Sequence, residues 1–149
     1  MPFSTSVQAR VAEPRHRRGL VDTSVVIDLG RVDPADLPAE IAISAVTLAE
    51  LAAGPHATSD LSERARRQDR LQRAEATFEA LPMDDAAARA YGRVYAAVTA
   101  AGRKARGRRA FDLLIAATAL AAELPLYTRN PGDFQELAGL VELVPVRAP

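Results

Sequence analysis

The chain has no cysteine, and its 149 residues include only two histidines, His16 and His56. The first absence excludes disulfides, thiolate-bound metals and cysteine nucleophiles. The second excludes a histidine-rich zinc site. There is also no excess of either charge, because 19 Lys and Arg side chains match 19 Asp and Glu. A neutral total does not decide against nucleic acid, since local patches govern phosphate binding. No apolar run approaches the roughly 20 residues that span a bilayer. The longest, Leu113 to Ala122, has ten residues and reads as a buried helix.

What is present is a soluble globular balance, 48% hydrophobic and 26% charged. The length fits one domain that buries about two-thirds of its unfolded surface. Residues 1–18 hold four arginines and two prolines without apolar periodicity. They read as a flexible N-terminal extension, and they lack the apolar core of a secretory signal. Residues 19–149 are read as the folded domain.

Its pattern alternates. Short apolar runs at Gly19–Asp22, Ile41–Ser44, Ala80–Met83, Leu124–Thr128 and Val141–Val144 read as five strands. Helical patterns lie between them at Ser24–Leu29, Val46–Ala53, Ser59–Phe78, Asp84–Ala101 and Phe111–Ala122, with a last helix from Asp133. The long polar helix carries Asp60–Arg64 and Asp69–Arg73 at i,i+4 spacing. A basic loop precedes the apolar helix, with Arg103, Lys104, Arg106, Arg108 and Arg109. Strand-helix alternation predicts a layered α/β fold with a mainly parallel five-stranded sheet.

Ligands of open parallel sheets bind beyond the carboxyl ends of the strands. Asp22 closes strand one, and Thr128, Asn130 and Asp133 follow strand four, so both groups fall on one edge. Asp112 is the sole charge in its apolar helix, and a buried carboxylate needs a partner. Each acid also has a plain structural role available. Asp112 can face solvent in a first helical turn, Asp22 can cap a helix, and Asp133 with Glu136 fits a capping box. Asn130 can serve only its turn, Glu50 can be a solvated helix acid, and Asp28 and Asp36 are assigned to the surface. If the acids converge, their mutual repulsion calls for divalent cations, and an all-oxygen set suits Mg²⁺ or Mn²⁺. Such sites activate water and orient a phosphodiester, and a basic loop beside them would hold neighbouring phosphates.

Four segments together resemble the PIN-domain ribonucleases, most closely the VapC toxins of bacterial VapBC toxin–antitoxin pairs. They are Val21-Asp22-Thr23-Ser24-Val25, Ser44-Ala45-Val46-Thr47-Leu48-Ala49-Glu50-Leu51, Asp112-Leu113-Leu114-Ile115-Ala116-Ala117-Thr118-Ala119 and Tyr127-Thr128-Arg129-Asn130-Pro131-Gly132-Asp133-Phe134. The resemblance runs from about Gly19 to Val146. It implies a three-layer α/β/α domain and an acidic catalytic cluster of Asp22, Glu50, Asp112 and Asp133. Asp22 and Asp112 would be the principal metal ligands, with Thr128 and Asn130 in support. It also implies a cytoplasmic, Mg²⁺-dependent endoribonuclease toxin that uses in-line attack by metal-activated water on RNA. A homodimer and a neutralising VapB antitoxin are the expected partners, and Arg108 and Arg109 are candidate contacts to RNA phosphate. The chain departs from the family in its first 18 residues and in its arginine-rich loop.

Other enzyme classes fit less well. A haloacid-dehalogenase phosphatase needs an acid where Ser24 stands, and a receiver domain needs a lysine that Thr128-Arg129-Asn130 does not supply. A PIN-like binding module without activity has no positive support, since all four acids are present.

Overall fold

A computed structural model describes residues 16–147. Five strands, β1 (Arg18–Val21), β2 (Glu40–Ser44), β3 (Glu79–Leu81), β4 (Leu126–Thr128) and β5 (Leu143–Pro145), form one sheet in the order β3-β2-β1-β4-β5. Every pairing is parallel. The helices are α1 (Thr23–Ile27), α2 (Ala45–Ala53), α3 (Leu61–Thr77), α4 (Asp85–Ala100) and α5 (Arg108–Ala121). The three-layer α/β/α arrangement expected from the sequence is present.

The strand pattern explains the layers. Leu20 and Val21 are successive residues whose side chains leave opposite faces of the sheet, and both are fully buried. Leu20 and Leu126 pack with Val94 and Val98 of α4 and Leu113 and Ile115 of α5. Val21, Ile43 and Tyr127 pack on the other side with Val25 of α1, Leu51 of α2 and Ala74 of α3. Two covered faces are the requirement of a wholly parallel sheet.

β1 tolerates only a minimal side chain at Gly19. A Cβ there would sit 2.5 Å from Tyr127 Cε2 and 2.8 Å from Cδ2. The ring of Tyr127 therefore lies where position 19 would carry a side chain.

Several boundaries differ from the sequence reading. Arg18 belongs to β1, and the carbonyls of His16 and Arg17 accept from the N–H groups of Ala39 and Glu40 at 3.2 and 2.7 Å. The sheet thus recruits residues assigned to the extension, whose first 15 residues lie outside the described residues. The segment after β4 is a 3₁₀ helix over Pro131–Leu137, with Asn130 rather than Asp133 as its N-cap. Asp60 does not pair with Arg64. It caps α3, accepting from Ser62 N and Glu63 N, while Asp69 and Arg73 do pair at 3.1 Å. The basic loop is shorter than expected, because Arg108 and Arg109 open α5 behind Gly107. Gly107 has φ +63°, a left-handed conformation that favours glycine. Phe111 is 47% exposed, so α5 is not buried all round. Among the described residues no helix is long and apolar enough to cross a membrane.

Candidate active site

The chain builds β1, β2 and β3 to one side, then returns to lay β4 and β5 on the other. The switch falls between β1 and β4, and the carboxyl ends of strands at such a point open a crevice. Val21 and Tyr127 are register partners there. The next residues, Asp22 and Thr128, end the two strands over a cleft of about 390 Å³.

All four acids singled out from the sequence line this cleft: Asp22, Glu50, Asp112 and Asp133. They come from the end of β1, from α2, from α5 and from the 3₁₀ helix after β4. Separate elements thus bring together carboxylates up to 111 positions apart in the chain.

Asp22 is the deepest, at 4% exposure. Its N–H is fixed by the Tyr127 carbonyl at 3.0 Å. Its Oδ1 accepts from Ser24 Oγ at 2.5 Å and from Val25 N at 3.2 Å. It therefore caps α1 and faces the cleft at once. Burial pushes its carboxyl up from the ordinary value, while hydrogen bonds from Ser24, Thr128 and the backbone pull the other way.

Asp112 is half-buried in the second turn of α5, since the helix starts four residues earlier at Arg108. It is therefore not the first-turn acid that the sequence suggested. Burial raises its carboxyl to about 6, with further upward pushes from Asp22, Glu50 and Asp133 and an opposing pull from Arg108. The cleft's own cations thus leave its negative charges unbalanced.

Glu50 is oriented by Thr23, whose Oγ1 donates to Oε1 at 2.9 Å. Thr47 Oγ1 lies 3.0 Å from the same Thr23 oxygen and is fully buried. Asp133 is exposed on the cleft rim. The capping box proposed for it does not form, because Glu136 is taken by Arg103 and Arg109.

Thr128 is fully buried. It hydrogen-bonds Asp22 and accepts from Asn130 N at 3.0 Å. Asn130 lines the cleft and its carbonyl accepts from Asp133 N at 3.0 Å. Arg108 also lines the cleft, whereas Arg109 turns to an ion pair with Glu136. The sequence reading treated these two arginines alike. Helical geometry separates them, because adjacent residues on a helix point about 100° apart.

Sequence reasoning missed Thr23, Thr47, Asp28 and Arg129. Asp28, assigned to the surface, lines the cleft in an ion pair with Arg129. A signal existed for Thr23, which directly follows the acid that closes a strand. None existed for Asp28, whose placement depends on where a five-residue helix ends.

An all-oxygen set with unbalanced like charge fits a hard divalent cation. Among the described residues no three acid or histidine side chains are grouped so that they could hold a metal ion together. Such a set suits Mg²⁺-type binding, in which one or two carboxylates ligate directly and water completes the shell.

The sheet, its switch-point cleft and the acids around it define a three-layer α/β/α domain with an acidic crevice at the carboxyl edge of its sheet. The chain belongs to the PIN-domain family, whose model matches residues 19–140. It is 39% identical to Ribonuclease VapC5 of Mycobacterium tuberculosis over 132 residues, covering 87% of this chain and 94% of that protein. It is also 39% identical to Ribonuclease VapC8 of the same species over 104 residues, 68% of this chain and 89% of the relative. Among solved structures it is similar to VapBC-5 of M. tuberculosis, a member of the VapBC family of toxin–antitoxin systems. That match has a TM-score of 0.75 and 38% identity, and covers 89% of this chain and 99% of the other.

Proposed function

We propose that this protein is the toxin of a type II toxin–antitoxin pair and a divalent-metal-dependent endoribonuclease. One observation carries the reading. Four carboxylates from four elements line a single cleft at the sheet's switch point, in a chain 39% identical to a protein named as a ribonuclease.

Asp22 and Asp112 are the proposed ligands of Mg²⁺, with Mn²⁺ a chemical equivalent for this donor set. When bound, the cation activates water and neutralises charge on the phosphodiester. Asp22 is held rigidly by its cap to α1 and its bonds to Ser24 and Thr128, so its oxygens are preorganised. Glu50, fixed by Thr23, and Asp133 on the rim are the carboxylates left to orient the attacking water and accept its proton. Thr128 and Asn130 support the floor. Arg108 offers N–H donors to phosphate at the cleft wall, while Arg109 has a structural ion pair instead. A cytoplasmic site of action is part of the same proposal, as the compartment of the proposed RNA substrate.

A VapB-type antitoxin is the proposed inhibitor. A groove of about 530 Å³ runs between α1 and α3, walled by Val26, Leu29, Ala74 and Phe78. Ile27 lines both this groove and the acid cleft, so a segment seated in the groove borders the site. A homodimer belongs to the same reading. Tyr95 of α4 and Phe111 of α5 are large apolar side chains left exposed for it, at 48% and 47%.

The test is cleavage of total RNA with and without Mg²⁺, comparing the wild type with Asp22→Asn. Metal-dependent cutting that disappears in the variant is expected. No cutting by a folded, metal-binding wild type overturns the ribonuclease reading, and undiminished cutting by the variant overturns the site.

A further inference from the structure

Arg129 is the first residue beyond β4, and it lines the acid cleft. Its backbone N–H donates to Ser24 Oγ at 3.3 Å, and Ser24 donates to Asp22 at 2.5 Å. The main chain of Arg129 is thereby registered against the deepest acid. Its guanidinium pairs with Asp28 through Nη1 and Oδ2. Asp28 closes α1, the helix that Asp22 opens. Both partners keep about a fifth of their side chains exposed, 22% for Arg129 and 21% for Asp28.

The charges of the cleft make this pair informative. Five carboxylates line it (Asp22, Asp28, Glu50, Asp112 and Asp133) against two guanidiniums (Arg108 and Arg129). RNA brings one further negative charge per nucleotide, so the approach of a strand needs cations at fixed positions. A guanidinium has five N–H donors in a planar fork, and one carboxylate does not use them all. Asp28 therefore does two things. It anchors one end of the guanidinium through Nη1, and it leaves the remaining N–H donors for a phosphate.

We propose that Arg129 binds an RNA phosphate at this cleft and that Asp28 is its positioning residue. The proposal rests on the RNA-cleaving reading and deepens it. It adds a second phosphate contact, from the end of β4, to that of Arg108 on α5.

The test uses the full chain and a fluorescein-labelled oligo-uridylate, titrated in Ca²⁺ over a series of salt concentrations. For Arg129→Gln, affinity should fall about tenfold, and the slope of log K against log salt should become shallower by about 0.7, one single-stranded phosphate contact. Asp28→Asn separates positioning from bare charge. Removing an acid beside RNA strengthens binding if only net charge matters, whereas loss of positioning weakens it, by about threefold or more. The double variant Asp28→Asn with Arg129→Gln leaves no unpaired charge behind, and should keep the shallow slope even if Arg129→Gln alone folds poorly. An unchanged slope in both Arg129 variants overturns the proposal, as does a wild type that binds no oligo-uridylate at low salt. Total-RNA cleavage is measured alongside. Cleavage by the wild type with unchanged slopes sinks Arg129's role alone, and altered slopes without cleavage sink the nuclease reading alone.

Discussion

Thr23 Oγ1 donates to Glu50 Oε1 at 2.9 Å, tying the first residue of α1 to a carboxylate of α2. A threonine hydroxyl has one proton. Thr23 shares it between Glu50 and the buried Thr47 Oγ1, which accepts at 3.0 Å. The three side chains form a relay that fixes where Glu50 points. Thr23→Val should lower kcat/KM for RNA cleavage about tenfold, the equivalent of one positioned hydrogen bond. Thr23→Ser should retain most activity. Equal rates for all three proteins would show that Glu50 needs no such support.

That relay marks the limit of what the sequence discloses. The alternation of strands and helices was legible because both faces of a parallel sheet must be covered, and Leu20 and Val21 show it in adjacent residues. Asp22, Asp112 and Asp133 were legible because strand ends and an apolar helix single them out, whereas Glu50 was singled out only by the family resemblance. Boundaries such as the start of α5 were not, because Gly107's positive φ sets that start and basic residues are good helix formers. The partners of Glu136 and Asp28 were not legible either. Those contacts, Arg103 with Glu136 and Arg129 with Asp28, span 33 and 101 positions, and only the finished packing brings them together.

Asp22 has a structural task and a proposed catalytic one, and a substitution can separate them. Asparagine caps helices as well as aspartate does, so Asp22→Asn should keep α1 and fold normally. It loses the charge that a cation requires. Cleavage should fall at least ~100-fold. Mg²⁺ should raise the melting temperature of the wild type, as any ligand of the native state does, and leave that of the variant unchanged. An equal Mg²⁺-induced rise in both proteins would remove Asp22 from the ligand set.

Asp112, with its carboxyl raised to about 6 from 3.8, makes the cleft pH-dependent. Between those values the folded protein holds a proton that the unfolded chain has released. The metal-free protein therefore loses stability from this group as pH rises through that window. Cation binding needs the ionised form, so it releases a proton and weakens as pH falls through 6. The Mg²⁺-induced rise in melting temperature should be larger at about pH 7.5 than at about pH 5. Asp112→Asn should abolish that difference, and should melt higher than the wild type at neutral pH without metal. A Mg²⁺ effect independent of pH in the wild type would contradict this account.

Gly19 tests the packing beneath the site. A methyl group there meets the Tyr127 ring at 2.5 Å, and Tyr127 is only 1% exposed with little room to retreat. Gly19→Ala should destabilise the fold by about 1–3 kcal/mol through overpacking, read as a lower midpoint in urea. Because Tyr127 also holds Asp22 N at 3.0 Å, activity should fall with stability. A companion variant with a smaller ring-position side chain, Tyr127→Leu, should make the alanine at position 19 tolerable. If Gly19→Ala is as stable as the wild type, the ring is not wedged there.

Glu136 links the two stretches of chain that carry Asp112 and Asp133. Its side chain is 5% exposed and pairs with Arg109 at the start of α5 and with Arg103 in the preceding loop. Burial and the charge of Arg103 lower the affinity of Arg109 for its proton, against the opposing pull of Asp133 and Asp112. Arg109 is therefore poorly solvated and relies on nearby acids. Removing one partner of such a pair leaves an uncompensated charge, which costs about 3 kcal/mol or more. Glu136→Gln should unfold at markedly lower urea. The freed guanidinium has Asp133 and Asp112 as remaining counter-charges, so the same variant should bind Mg²⁺ more weakly. Adding Arg109→Gln removes the stranded charge, and should restore both stability and the Mg²⁺-induced rise in melting temperature. If the double variant is no more stable than Glu136→Gln, the carboxylate matters through packing and not through its charge.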